Sequence, residues 1–244
     1  MRKLQMVRQT VKDFIRRKII NIVRKRTGSL KTPMDVVFLT LQVHKLLPKP
    51  LIALEVFGMH GLWVAYDYAH LCDYLELWEI EPIYAKFARK FIPKAVVKIG
   101  DSIKAVKEKR LLRENYNFIV IDNPLWSPYG PGYCEHFDLF PDVFGYLGKS
   151  GVLVMNVIPD IGLYASTLSK KQIPQEWIDR RKEFYGINED KGVINLDVKK
   201  MVDIYKDKVP KGDFIITNTF LVPKNTYVGF LVMAIKRNSK EHPV

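Results

Sequence analysis

Cysteine is scarce: Cys72 and Cys134 are the two in 244 residues. Two thiols cannot build the paired spacings of a disulfide framework, and neither has a metal-like neighbour pattern. Both are expected as free thiols in a reducing, cytoplasmic compartment. Long apolar runs are also missing. Nothing approaches 18 uncharged apolar residues in succession, so a membrane-spanning helix is not expected. The N-terminus lacks the short charged region, apolar stretch and small-residue cleavage site of a secretory signal.

Acid is nearly absent from the first 32 residues. They hold eleven Lys or Arg against the single Asp13, a balance of +10 out of a net charge of +13 for the whole chain. The basic character therefore belongs to one segment, and a polyanion would be met there. Within it Leu4, Val7, Val11, Phe14, Ile15, Ile19, Ile22 and Val23 recur every three or four residues, which predicts one apolar face of a basic amphipathic helix ending near Thr27 and Gly28. Such a helix can lie on an anionic membrane, track the phosphates of a nucleic acid, or pack its apolar face on the domain. Aromatic residues do not alternate with the charges as a base-stacking platform requires, so nucleic acid is the less favoured partner. The expected location is cytoplasmic and peripheral to the inner face of a membrane.

What is present is a chain of ordinary hydrophobic content, 48%, long enough for one α/β domain over residues 31–240 with the basic helix of residues 1–30 as its appendage. A helix is predicted from Thr32 to Pro48. Leu51 to Val56 is an apolar strand running into a turn with Gly58 and Gly61, followed by a helix-like segment. A second strand, Tyr74 to Trp78, closes on Glu79. Glycines after a first parallel strand let backbone approach a ligand, and an acid ending the next strand can take both hydroxyls of a ribose. The dinucleotide form needs Gly-x-Gly-x-x-Gly, which Phe57-Gly58-Met59-His60-Gly61 does not supply, so a nicotinamide or flavin enzyme is poorly supported.

The stretch Glu55, Phe57, Gly58, Gly61 resembles the first motif of class I S-adenosylmethionine (SAM) dependent methyltransferases in its acid-x-Phe-Gly/Ala-Gly-x-Gly variant. Met59 stands where that variant has a second glycine. The resemblance implies a Rossmann-like fold, a mostly parallel seven-stranded sheet with helices on both faces and a C-terminal antiparallel hairpin. It implies SAM as cofactor and Glu79 as the ribose ligand, with Glu81 close enough to compete.

The rest of the chain follows the same order. Ala95 to Ile99 is a third strand entering Gly100-Asp101-Ser102, where the resemblance implies that Asp101, with Ser102 beside it, contacts the adenine; Asp101 also fits a helix cap. Asn117 to Ile121 is a fourth, doubly buried strand. It runs into Asp122-Asn123-Pro124-Leu125-Trp126, similar to the Asn/Asp-Pro-Pro-aromatic motif of amino-group methyltransferases with Leu125 for the second proline. By that resemblance Asn123 and a backbone carbonyl hold an amine and Trp126 stacks on it. The loop beyond is also similar to polyamine (spermidine) synthases, in which an acid at the position of Asp122 is the base.

Glu135, His136 and Asp138 crowd together without helix-spaced partners, so no metal site is expected from them. Pro141 to Leu147 finishes a helix, Gly148 to Gly151 is a turn, and Val152 to Ile158 a fifth strand. Residues 160–192 carry no strand pattern and suit a cap over the acceptor. Leu196 to Lys206 is a helix, and Phe214 to Val222 with Tyr227 to Ile235 forms a hairpin.

The function expected is methyl transfer from SAM to an acceptor, a small molecule, glycan or amine, with Asp122, Asn123 and Trp126 catalytic. Glu55, Phe57, Gly58, Gly61, Glu79, Asp101, Ser102 and Asp122 would bind the cofactor. Met59 and Leu125 support a different expectation, an inactive SAM-fold scaffold at a membrane. Nucleic-acid amino-methylation and aminopropyl transfer remain as further alternatives.

Overall fold

The structure is a computed structural model and describes residues 2–27, 31–123, 134–166 and 173–238. Helix α1 covers Arg2–Thr27 and α2 covers Pro33–Val43. The start of α2 is fixed locally by a reciprocal capping box: Asp35 N donates to Thr32 Oγ1 at 3.3 Å, and Thr32 N donates to Asp35 Oδ2 at 2.6 Å, with Pro33 in the first turn.

Strand β1 (Ile52–Glu55) leads through the glycine turn to a short helix, α3 (Ala65–Tyr68), and one 3-10 turn. Then follow β2 (Tyr74–Glu79), α4 (Pro82–Phe91), β3 (Val96–Ile99), α5 (Ser102–Lys107) and β4 (Tyr116–Ile121). Beyond the loop come α6 (Phe140–Val143), β5 (Leu147–Val157), α7 (Ile161–Ser166), α8 (Gln175–Tyr185), α9 (Asp190–Ile194) and α10 (Val198–Asp207). The chain closes with β6 (Phe214–Pro223) and β7 (Gly229–Arg237).

Among the described residues the strands form one seven-stranded sheet in the order β3-β2-β1-β4-β5-β7-β6. The first five are parallel, and β7 pairs antiparallel with both β5 and β6. The chain order reverses between β1 and β4, which makes their carboxyl ends the topological switch point where open α/β sheets bind ligands.

The continuous apolar runs read from the sequence are continuous because both faces of the sheet are covered, and alternate residues divide between them. Leu54, Ile119, Ile121, Leu153 and Met155 pack in a core with residues of α5, α6 and α10. Ala53, Phe118, Val120, Val152 and Val154 belong to the opposite core with residues of α2, α3 and α4. The α/β architecture is the one expected.

Two local expectations change. The helix expected to run to Leu147 gives four residues of α6 and a 3-10 turn, Phe144–Tyr146. Gly148 to Gly151, expected as a turn, lie inside β5. The pairing with β4 explains this: Tyr116 faces Leu147 and Phe118 already faces Val152, so the extra residues form an irregularity within a paired strand. Gly151 suits the place, because a Cβ there would come within 2.9 Å of Asn117 O. The described parts of the stretch expected as a cap, residues 160–166 and 173–192, hold α7 to α9, and Arg181 ties α8 and α9 to the sheet. That side chain donates to Val193 O, Glu135 Oε1 and Ile158 O at 2.6–2.9 Å.

The face that α1 turns to the domain is not the single apolar face its periodicity suggested. Met6 and Thr10 are buried, Phe14 stacks on Phe91, and Asp13 and Arg17 bond to the segment after the glycine turn. Leu4, Val11, Ile15, Ile19 and Ile22 are 48–56% exposed. No helix among the described residues is long and apolar enough to cross a membrane.

Candidate functional site

Four adjacent strands each deliver an acid at or just past their carboxyl ends: Glu55 on β1, Glu79 on β2, Asp101 after β3 and Asp122 after β4. The parallel registers align these ends along one edge of the sheet.

Glu55 is buried and accepts a hydrogen bond from the Tyr68 hydroxyl. Burial pushes its carboxyl up to about 8, with Asp122 nearby adding to the shift and the Tyr68 hydrogen bond opposing it. Glu79 is 8% exposed and accepts from Glu81 N at 2.7 Å. Burial lifts it to about 7 against that bond and bonds from the amides of Met59 and Ile80. Glu81 thus supports Glu79 through its backbone. Among the described residues neither Glu55 nor Glu79 forms an ion pair.

The glycine turn is shaped by contacts that sequence alone only hinted at. Gly58 N donates to Trp78 O at 2.7 Å, and a Cβ at Gly58 would overlap the Leu77 side chain at 2.0 Å, so the turn is clamped to β2. Gly61 has φ +78 and meets Ile92. Met59 has φ +47, the left-handed region that glycine occupies without cost. Phe57 packs at the margin of the core. Asp101 accepts from Ile103 N and Lys104 N at 3.0 and 3.3 Å, so it caps α5, of which the buried Ser102 is the first residue.

On the β4 side, Asp122 is ion-paired with Lys224 Nζ at 2.7 Å, from the hairpin joining β6 to β7. Asn123 is 2% exposed. Its Oδ1 lies 3.4 Å from His136 Nδ1, and its carbonyl accepts from Asn156 Nδ2 at 3.3 Å. His136 is buried, which pushes its imidazole down to about 3, so it is neutral at ordinary pH. With Nδ1 donating to Asn123, Nε2 carries the lone pair. That Nε2, Asn123 Nδ2 and Asn156 Oδ1 are buried and without a hydrogen-bond partner among the described residues. Buried polar atoms in this state call for a partner, a water or a polar ligand.

Trp126, with Pro124 and Leu125, lies outside the described residues. The structure therefore brings Asp122 and Asn123 together with Glu55, but supplies no position for the stacking aromatic. Among the described residues no group of three His, Cys, Asp or Glu could hold a metal; Glu135 instead pairs with Arg181 and accepts from Trp177. Lys224, Tyr68 and Asn156 escaped the sequence reading. Asn156 had a visible signal, an amide in the middle of an apolar strand. Lys224 had none, because its partner is 102 residues away.

The residues present suit SAM. Its sulfonium and ammonium are cations and its ribose carries two hydroxyl donors, and the β1–β2 side offers two buried carboxyl groups, Glu55 and Glu79, that form no ion pair among the described residues. No family model matches the sequence, and no curated protein does. Solved structures do. Trm1 from Pyrococcus horikoshii, in complex with S-adenosyl-L-methionine, superposes with a TM-score of 0.55 at 13% identity over 85% of this chain. This chain spans 56% of Trm1. The plantazolicin methyltransferase BamL, in complex with a triazolic desmethylPZN analog and SAH, gives 0.53 at 10% identity, covering 90% of each chain. The chain thus has the fold of class I SAM-dependent methyltransferases, as its motifs implied.

Proposed function

We propose that this chain is a SAM-dependent methyltransferase that acts on an amine-bearing acceptor placed between β4 and β5. The observation that carries the reading is the row of acids at the carboxyl ends of β3, β2, β1 and β4, on the switch point of the sheet. Glu79 would accept the ribose hydroxyls, Glu55 would face the cationic methionine end, and Asp101 with Ser102 would border the adenine. When bound, SAM supplies a methyl group already activated on a sulfonium.

The protein's own task is then placement and desolvation. Asn123 is held rigid by His136 and Asn156, and it leaves an amide donor toward the acceptor. His136 Nε2 and Asn156 Oδ1 are acceptors, which suits N–H groups and favours an amine over an ether or thioether. Asp122, adjacent to Asn123 in the chain and paired with Lys224, is the carboxylate that would take the proton released.

Isothermal titration of the full chain with SAM tests the first half. Binding is expected, and Glu79→Ala is expected to weaken it by about tenfold or more, since a hydrogen bond to a charged group contributes about 1.5–3 kcal/mol. Asn123→Ala is expected to retain SAM binding and lose turnover, and Asp122→Asn to slow turnover by about 10²–10⁴-fold. The scaffold reading has its own support. Met59 sits in a left-handed conformation where the resembled motif has glycine, and both acceptor atoms of Asn123 already have protein partners. A titration with no heat and no competition by S-adenosylhomocysteine would decide for the scaffold.

A further inference from the structure

Helix α1 is attached to the domain by a mixed side, on which Asp13 and Arg17 make the polar contacts, and shows its aliphatic side to the exterior. Arg17 Nε donates to Leu62 O at 2.6 Å, Nη2 donates to Trp63 O, and the guanidinium forks onto Asp67 at 2.7 and 2.9 Å. His60 Nε2 and Trp63 Nε1 reach Asp13 Oδ2 at 2.9 and 3.1 Å. On a helix of 3.6 residues per turn, Met6, Thr10, Asp13, Phe14 and Arg17 share this inward side. Leu4, Val11, Ile15, Ile19 and Ile22 fall within an arc of about 80° on the far side, a stripe roughly 27 Å long. Each of the five is 48–56% exposed.

Charge says what this stripe fits. Arg8, Lys12, Arg16 and Lys18 are exposed and fall within or beside the stripe. The one acid of α1, Asp13, is turned inward at 13% exposure and held by His60, Trp63 and Gln9. The outward side of the helix is therefore aliphatic and cationic with no carboxylate on it. From this we infer that α1 is an in-plane docking surface for an anionic phospholipid bilayer, its stripe entering the headgroup boundary while the basic residues meet lipid phosphates and carboxylates. A second copy of the chain fits poorly, because it would set the same cations against each other. A nucleic acid would answer the charges and leave five aliphatic side chains in water. This inference stands independently of the methyltransferase reading.

The test is co-sedimentation of the full chain with vesicles of phosphatidylcholine alone and of phosphatidylcholine with phosphatidylserine. Sedimentation with the second and not the first is expected, falling as salt is raised. Ile15→Gln with Ile19→Gln should weaken it by about tenfold or more, and Lys12→Gln by about fivefold. All of these side chains are exposed, so circular dichroism and melting temperature should be unchanged. No sedimentation with the anionic vesicles, or equal sedimentation of the Ile15→Gln, Ile19→Gln protein, overturns the inference. So does a dimer in sedimentation velocity that this double variant abolishes, or retention on a uridine oligonucleotide at a salt concentration where the vesicles fail.

Discussion

The two halves of the sheet edge treat their buried acids in opposite ways. On the β1–β2 side, Glu55 and Glu79 are buried without an ion pair among the described residues, and burial raises both, to about 8 and about 7. On the β4–β5 side, each buried acid has its own cation: Asp122 has Lys224, and Glu135 has Arg181 at 2.6 Å with both side chains wholly buried. In one half the acids already have cations, whereas the other holds carboxyl groups in a state that only a ligand or a proton relieves. The first arrangement fixes its acids in place, Asp122 among them, and the second suits a site for a cationic cofactor.

Removing a cation from a paired acid should therefore destabilise, and removing the charge of the unpaired Glu55 should stabilise. The largest effect is expected from Arg181→Met, which strands Glu135 and the carbonyls of Val193 and Ile158 in the core. Breaking one partner of a buried pair costs about 3–5 kcal/mol, read as a lower denaturant midpoint. A loss under about 1 kcal/mol would mean that the pair is not what holds α8 and α9 to β5. Next is Arg17→Ala, the cation of the other side that serves turn backbone and Asp67 rather than Glu55 or Glu79. It should cost about 2–3 kcal/mol and expose the amides of α1 to hydrogen exchange. Protection unchanged in α1 would show that the Phe14–Phe91 stack suffices.

Glu55→Gln should instead stabilise the protein, and pH should show why. Between the ordinary value of 4.5 and about 8 the folded state holds a proton that the unfolded state has lost. Stability must then fall as pH rises through that window and level off above it. Glu79 adds to the same slope up to about 7. Thermal melts of the unliganded chain should decline over that window, and Glu55→Gln should flatten the larger part of the decline, raising the melting temperature most at its upper end. A parent protein that gains stability over that range would break the comparison. The smallest effect is Met59→Gly, which removes a side chain from φ +47 and should stabilise by up to about 1 kcal/mol. If it also tightens SAM, Met59 crowds the cofactor; if only the melt shifts, it does not.

The fold was legible in the chain because its signals are local. Continuous apolar runs, Gly58 and Gly61 in the turn, and Glu79 at a strand end each need a window of only a few residues. The order strand, glycine turn, helix, strand, acid follows from such windows. The acids Glu55, Glu79, Asp101 and Asp122 could be named for the same reason, since in a parallel sheet the position of an acid in its strand sets which edge it reaches.

What the residues along the chain could not decide is which group faces which. Periodicity in α1 shows that apolar residues recur, but not that Phe14 turns inward while Ile15 turns out, because that choice is made by Phe91, His60 and Asp67. Asp122 looks like an open carboxylate until the β6–β7 hairpin brings Lys224 to it. Nothing along the chain says that His136 faces Asn123, whose Oδ1 the fold brings to 3.4 Å from its Nδ1. Sequence determined the elements and the edge where the acids gather, through forces that act between near neighbours. Tertiary structure alone decided which acids are paired, because burial and Coulomb partners are set by residues far apart in the chain that the fold makes adjacent.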